Sequence, residues 1–104
     1  MLLCVTIDHP TIVSWAFDRG ASPSTIEGDE HPWPLLFDFR PPSPGMVAIG
    51  WDRFFEQFER YDLAFVFPYA APDSERDVSH QFVKRAALPH LTFPGKSTIL
   101  ERIA

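Results

Sequence analysis

Pro94-Gly95-Lys96-Ser97-Thr98 contains the residue types of a phosphate-binding loop. In such a loop a glycine-rich turn points backbone N–H groups at phosphate. A lysine then reaches the outer phosphates, and a hydroxyl holds magnesium. The motif also needs a glycine five residues before Gly95, and His90 stands there. Nucleotide binding is therefore not expected. Thr98 followed by Glu101 has capping-box spacing, which predicts a turn and a short helix over Ser97-Thr98-Ile99-Leu100-Glu101-Arg102-Ile103.

His9, His31, His80 and His90 do not pair with one another at helical spacing, so no metal site is expected. Cys4 sits within Leu2-Leu3-Cys4-Val5-Thr6, the setting of a small buried hydrophobe rather than an activated nucleophile. At most, His9 joins Asp8 in a polar contact. Asp38, Asp52 and Glu56 could in principle share proton-transfer work. However, Asp52 and Glu56 fall on a polar helix face, and Asp38 alternates outward on a strand. No catalytic set converges. The basic residues Lys84, Arg85, Lys96 and Arg102 gather late in the chain near Phe82 and Phe93, but 9 Lys plus Arg against 14 Asp plus Glu leave a net charge of −5. An acidic chain has no general attraction to phosphate backbones or anionic membranes, so these cations read as a solvated edge.

Two segments fit protein contact better. Trp33 stands between Pro32 and Pro34, and a stiff loop presenting an aromatic ring is a frequent anchor at interfaces. Leu91, Phe93, Ile99, Leu100 and Ile103 lie in a late apolar stretch that must cover the domain, a second copy or a partner. Trp33, Leu91, Phe93, Ile99, Leu100 and Ile103 are therefore the candidate partner-binding residues.

The elements that would position these residues follow from spacing. Asp8 as N-cap, Pro10 in the first turn, apolar Ile12, Trp15 and Ala16, and Gly20 as a stop predict a helix over about residues 9–19. Val13 and Phe17 widen its apolar face. Residues 20–34 read mostly as connection, with a short edge strand over 23–27. Leu35-Leu36-Phe37-Asp38-Phe39-Arg40 alternates as a strand, and Pro41-Pro42-Ser43-Pro44-Gly45 stops any regular ladder. After Gly50, Trp51, Phe54, Phe55 and Phe58 fall at i, i+3, i+4 and i+7, the stripe of an amphipathic helix that anchors the core. Residues 63–69 are apolar on both faces, as in a central strand ended by Pro68. Residues 80–85 predict a last strand with Phe82 inward.

Asp8 to Ile26, Leu35 to Phe39 and Gly50 to Phe67, with the fainter His80-Gln81-Phe82-Val83-Lys84, resemble a family of short bacterial proteins without assigned function. The most specific part is Trp51-Asp52-x-Phe54-Phe55-x-x-Phe58 followed by Leu63-Ala64, and the likeness covers about residues 8–85. Members often carry the label alpha-glucan branching enzyme. That label does not suit this chain, since a glucanotransferase barrel takes about 250 residues. The chain also departs from the pattern: Gly20-Ala21-Ser22-Pro23 replaces a basic stretch, and Gly50 replaces a serine. The resemblance implies a fold and a boundary near residue 85, and carries no activity.

A length of 104 residues fits one domain, and 45% apolar with 14% aromatic residues supply a core and exclude disorder. The lone cysteine excludes an intrachain disulfide. No apolar run approaches the length of a bilayer span, and no leader pattern opens the chain, so a cytoplasmic protein is expected.

The expected fold is α+β, with a small antiparallel sheet of about four strands and two helices on one face. The expected order is α-β-β-α-β-β over residues 1–85, and an extension with a short helix follows over 86–104. The expected function is a non-enzymatic binding module for a protein partner or a second copy. A nucleic-acid-associated or regulatory accessory factor is the alternative, and a small enzyme comes third. No cofactor, metal or small-molecule substrate is inferred.

Overall fold

The computed structural model describes residues 3–26, 35–39, 43–68, 79–87 and 97–100, and of Ile99 and Leu100 the backbone only. Among these, the order is β1 (Leu3–Thr6), α1 (His9–Asp18), β2 (Ser22–Ile26), β3 (Leu36–Asp38), β4 (Met46–Ala48), α2 (Trp51–Arg60), β5 (Leu63–Pro68), β6 (Gln81–Lys84), a 3-10 turn (Arg85–Ala87) and β7 (Ser97–Leu100). The class is α+β. The strands form two antiparallel sheets, one of four strands in the order β6-β5-β1-β7 and one of three in the order β3-β2-β4.

Both helices start and stop for local reasons. The Asp8 carboxylate accepts from the Thr11 backbone N–H at 3.2 Å and from the Thr11 hydroxyl at 2.6 Å, so one orphan donor of the first turn of α1 is satisfied. At the other end Gly20 takes a φ of +67°, which lets Ala21 N–H turn back to the Ala16 carbonyl at 2.8 Å. The N-cap of α2, Gly50, offers no side chain, but Asp52 in the first turn and Arg60 in the last match the helix dipole.

Both helices pack into one aromatic cluster. Ile12, Trp15 and Ala16 of α1 and Phe54 and Phe58 of α2 are buried there with Leu35, Phe37, Leu63 and Phe65. Trp15 meets Phe65 edge-on at 4.9 Å and Phe37 stacks on Phe54 at 5.1 Å, favourable geometries for ring quadrupoles. Of the four-residue stripe, Phe54 and Phe58 are fully buried and Trp51 and Phe55 half-buried.

The structure departs from the sequence expectations in several places. There are two sheets rather than one. A strand, β1, precedes the first helix, and β4 follows a proline-rich stretch where no strand was expected. The segment expected at an edge is β2, the centre of the smaller sheet. Pro23 is tolerated there because β3 pairs with residues 22–24 and β4 with residues 24–26, so the two ladders overlap only at Ser24. Asp38 points inward rather than outward and is buried, with Ser43 donating to it from backbone N–H at 3.0 Å and from hydroxyl at 2.6 Å. Those charge-assisted bonds offset the cost of burying a carboxylate. Phe17, expected to widen the apolar face of α1, is 84% exposed.

The helix expected at residues 97–103 is a strand over its described part, Ser97–Leu100. Thr98 and Ile99 are β-branched, and β1 offers them an open ladder. A boundary after Arg85 therefore does not separate β7 from the sheet.

Candidate binding surfaces

Of the residues singled out for partner contact, Trp33, Leu91, Phe93 and Ile103 lie outside the described residues. Ile99 and Leu100 belong to β7, where they pair in register with Cys4 and Leu3. Their backbone is therefore committed to the four-stranded sheet. At the start of this seam the Thr6 and Ser97 hydroxyls share a hydrogen bond of 2.6 Å, and Thr6 Oγ1 also accepts from Asp8 N–H at 3.0 Å.

An open groove of about 420 Å³ runs between α1 and the end of β5. Trp15, Phe67 and Pro68 give it apolar walls, while Thr11, Ser14 and Asp18 line its polar side. Pro10, Ser14 and Phe17 share one helix face by their i, i+4, i+7 spacing, and Pro10 and Ser14 both line the groove. Phe17 follows Ser14 by three residues on that face but does not itself line the groove. A second recess of about 290 Å³, lined by Leu3, Phe67, His80 and others, shares Phe67 and Pro68 with the first. Trp15 contributes the one buried side-chain nitrogen without a hydrogen-bond partner among the described residues. The sequence gives only the spacing of this face. That Phe17 turns outward depends on where α1 docks.

A polar cluster joins three elements: α1, α2 and the turn after β6. His9 Nε2 lies 2.8 Å from Glu59 Oε2, and the His9 ring stacks on Phe55 at 4.0 Å. Arg85 Nη2 donates to both Glu59 oxygens at 3.0 Å, and its Nε donates to the Leu63 carbonyl at 2.7 Å. Burial pushes the Glu59 carboxyl up, but hydrogen bonds and charge from His9 and Arg85 outweigh it and hold the group below the usual carboxylate range.

His9 was expected to meet Asp8 at most, and Arg85 to stand on a solvated edge. The partner of both is Glu59, 50 positions from His9 and 26 from Arg85. No local spacing announces such a contact. The carboxylate is occupied by two cationic or hydrogen-bonding partners, and the arrangement acts as a tie between α1, α2 and the end of β6.

Cys4 is buried, and burial pushes its thiol up, away from the thiolate a nucleophile needs. Among the described residues no group of three or more His, Cys, Asp or Glu is placed to hold a metal ion, and no helix is long and apolar enough to cross a membrane.

No family model, curated protein or solved structure matches this chain.

Proposed function

We propose that this chain is a small, non-enzymatic binding module of the cytoplasm that acts by contact with another protein. The observation that carries the reading is the 84% exposed ring of Phe17, three residues along α1 from Ser14, which lines the groove walled by Trp15, Phe67 and Pro68. A lone surface aromatic is ordinary. An exposed aromatic ring on the same helix as an open groove of mixed polar and apolar lining offers the residue types that anchor protein interfaces. Trp33 between its two prolines is a second proposed contact. The acidic balance of the chain argues against a nucleic-acid partner.

The test is affinity capture from the native host at physiological salt, using wild type and Phe17→Asp in parallel. The expected result is a specific protein recovered by wild type and lost with the variant, at unchanged melting temperature. Salt-sensitive recovery of DNA or RNA instead would favour the accessory-factor reading. Equal recovery by both proteins would remove Phe17 from the interface.

A further inference from the structure

Phe17 is the most exposed large apolar side chain among the described residues. It stands three residues along α1 from Ser14 of the groove lining, about 4.5 Å along the helix axis. The groove itself is open, holds about 420 Å³ and is walled by Trp15, Phe67 and Pro68. One helix therefore offers an aromatic insert and, next to it, a recess with apolar walls that the insert of its own chain leaves open.

The charges of this patch balance. Asp18 and Arg19 both line the groove, and the Arg19 guanidinium lies 4.6 Å over the Trp15 ring. The whole chain has a net charge of −5, so two copies repel at long range. Among the groove-lining residues one acid stands beside one base, and that repulsion has no local source.

We propose that the partner of this surface is a second copy of the chain, with two α1 helices crossing about a two-fold axis and Phe17 of each copy entering the groove of the other. The proposal rests on the reading of the Phe17 surface as a protein contact and names its partner. A two-fold interface needs a patch that complements itself, so that each contact is made twice. An insert alone, or a recess alone, calls for a different protein. Pro10, Ser14 and Phe17 share one face of α1, so insert and recess are presented together and the two-fold axis exchanges them. An antiparallel crossing near the C-terminal turn of α1 also brings Asp18 of each copy toward Arg19 of the other. A rim of one sign would oppose self-association, whereas this one attracts its own copy.

The size of the patch sets the strength. Two Phe rings and the groove surface they cover come to about 600–1,000 Å², short of the ~1,200 Å² at which stable interfaces begin. The dimer is therefore weak and forms at high protein concentration.

The test is sedimentation velocity of purified full-length protein from about 10 μM to about 1 mM. Wild type should shift from monomer to dimer over that range, and Phe17→Asp should stay monomeric at an unchanged melting temperature. Charge reciprocity sharpens the result. Asp18→Lys makes the charged lining wholly basic and Arg19→Glu makes it wholly acidic, so each variant alone should dimerise at least about tenfold more weakly than wild type. An equimolar mixture of the two should recover association, which also shows that both are folded.

A wild-type monomer at the highest concentration overturns the proposal, as does a dimer indifferent to Phe17→Asp. A mixture that associates no better than either variant alone overturns it too. These failures are distinguishable from failure of the contact surface. If the purified chain stays monomeric while affinity capture recovers a different protein that Phe17→Asp loses, the surface stands and its partner is not a second copy.

Discussion

On one face of the four-stranded sheet, Leu63 and Phe65 of β5 meet Trp15 of α1 and Phe54 and Phe58 of α2 in a cluster of interlocking rings. On the other, Ala64 and Val66 of the same strand meet Val5 of β1, with Leu3, Ile7 and Val83 around them. Alternate residues of one strand thus serve two cores of different chemistry. The aromatic face is wide because two helices dock on it, each bringing large rings whose edges and faces can be matched. On the aliphatic side the described contacts run between strands: Val5 pairs with Val66, and Ala64 with Val83. Large buried area and ring geometry concentrate stability on the helix side, and strand registration does more of the work on the other.

That contrast can be broken by mutation. Phe58→Ala removes a fully buried ring from the aromatic side and should cost about 3–5 kcal/mol in denaturant melts. A loss under about 1 kcal/mol would mean that the cluster collapses onto the cavity and that the helix side is not the stability centre.

Val66→Ala on the opposite face deletes two buried methyl groups and should cost about 1.5–2 kcal/mol. If Val66→Ala proved as damaging as Phe58→Ala, the two faces would contribute equally and the contrast would fail.

The Glu59 tie sharpens the comparison from the rim of the helix side. Its carboxyl is held below the usual carboxylate range in the folded chain, so its contribution is fully present above the unfolded value and is lost as pH falls through the folded one. Glu59→Gln should lower stability at neutral pH by less than about 1 kcal/mol, since the side chain is 45% exposed. The variant's melting temperature should also fall less steeply than wild type's across the acid range. Parallel pH profiles for the two proteins would show that the tie contributes nothing.

The smallest effect belongs to Phe17, outside both cores. Phe17→Ser should change stability by no more than about 0.5 kcal/mol, because the ring leaves water little on folding. A larger destabilisation would place Phe17 in packing rather than on a contact surface.

Local chemistry explains which parts of this fold were legible in the chain. The α2 stripe, the Asp8 cap, the Gly20 stop and the two-sided apolar character of residues 63–68 each depend on neighbours a few positions apart. Periodicity and turn chemistry record such neighbours directly. The Ser97–Leu100 segment shows the opposite case. Its Thr98-to-Glu101 spacing suits a capped helix, and pairing with β1, more than ninety residues away, makes it a strand instead.

Asp38 turned inward because Ser43 was in reach, and His9 and Arg85 met at Glu59 because two helices and a strand end converge there. For the candidate surface, the sequence offered Trp33 and the late apolar residues but not Phe17, whose helical spacing is equally compatible with burial. The sequence alone determined the α+β class, the two helices with their ends and the aromatic content of the core. Only the tertiary structure decided the division into two sheets, the placement of β7 against β1 and the outward turn of Phe17. These depend on long-range pairing and on which helix face docks, and neither leaves a periodic signal in the chain.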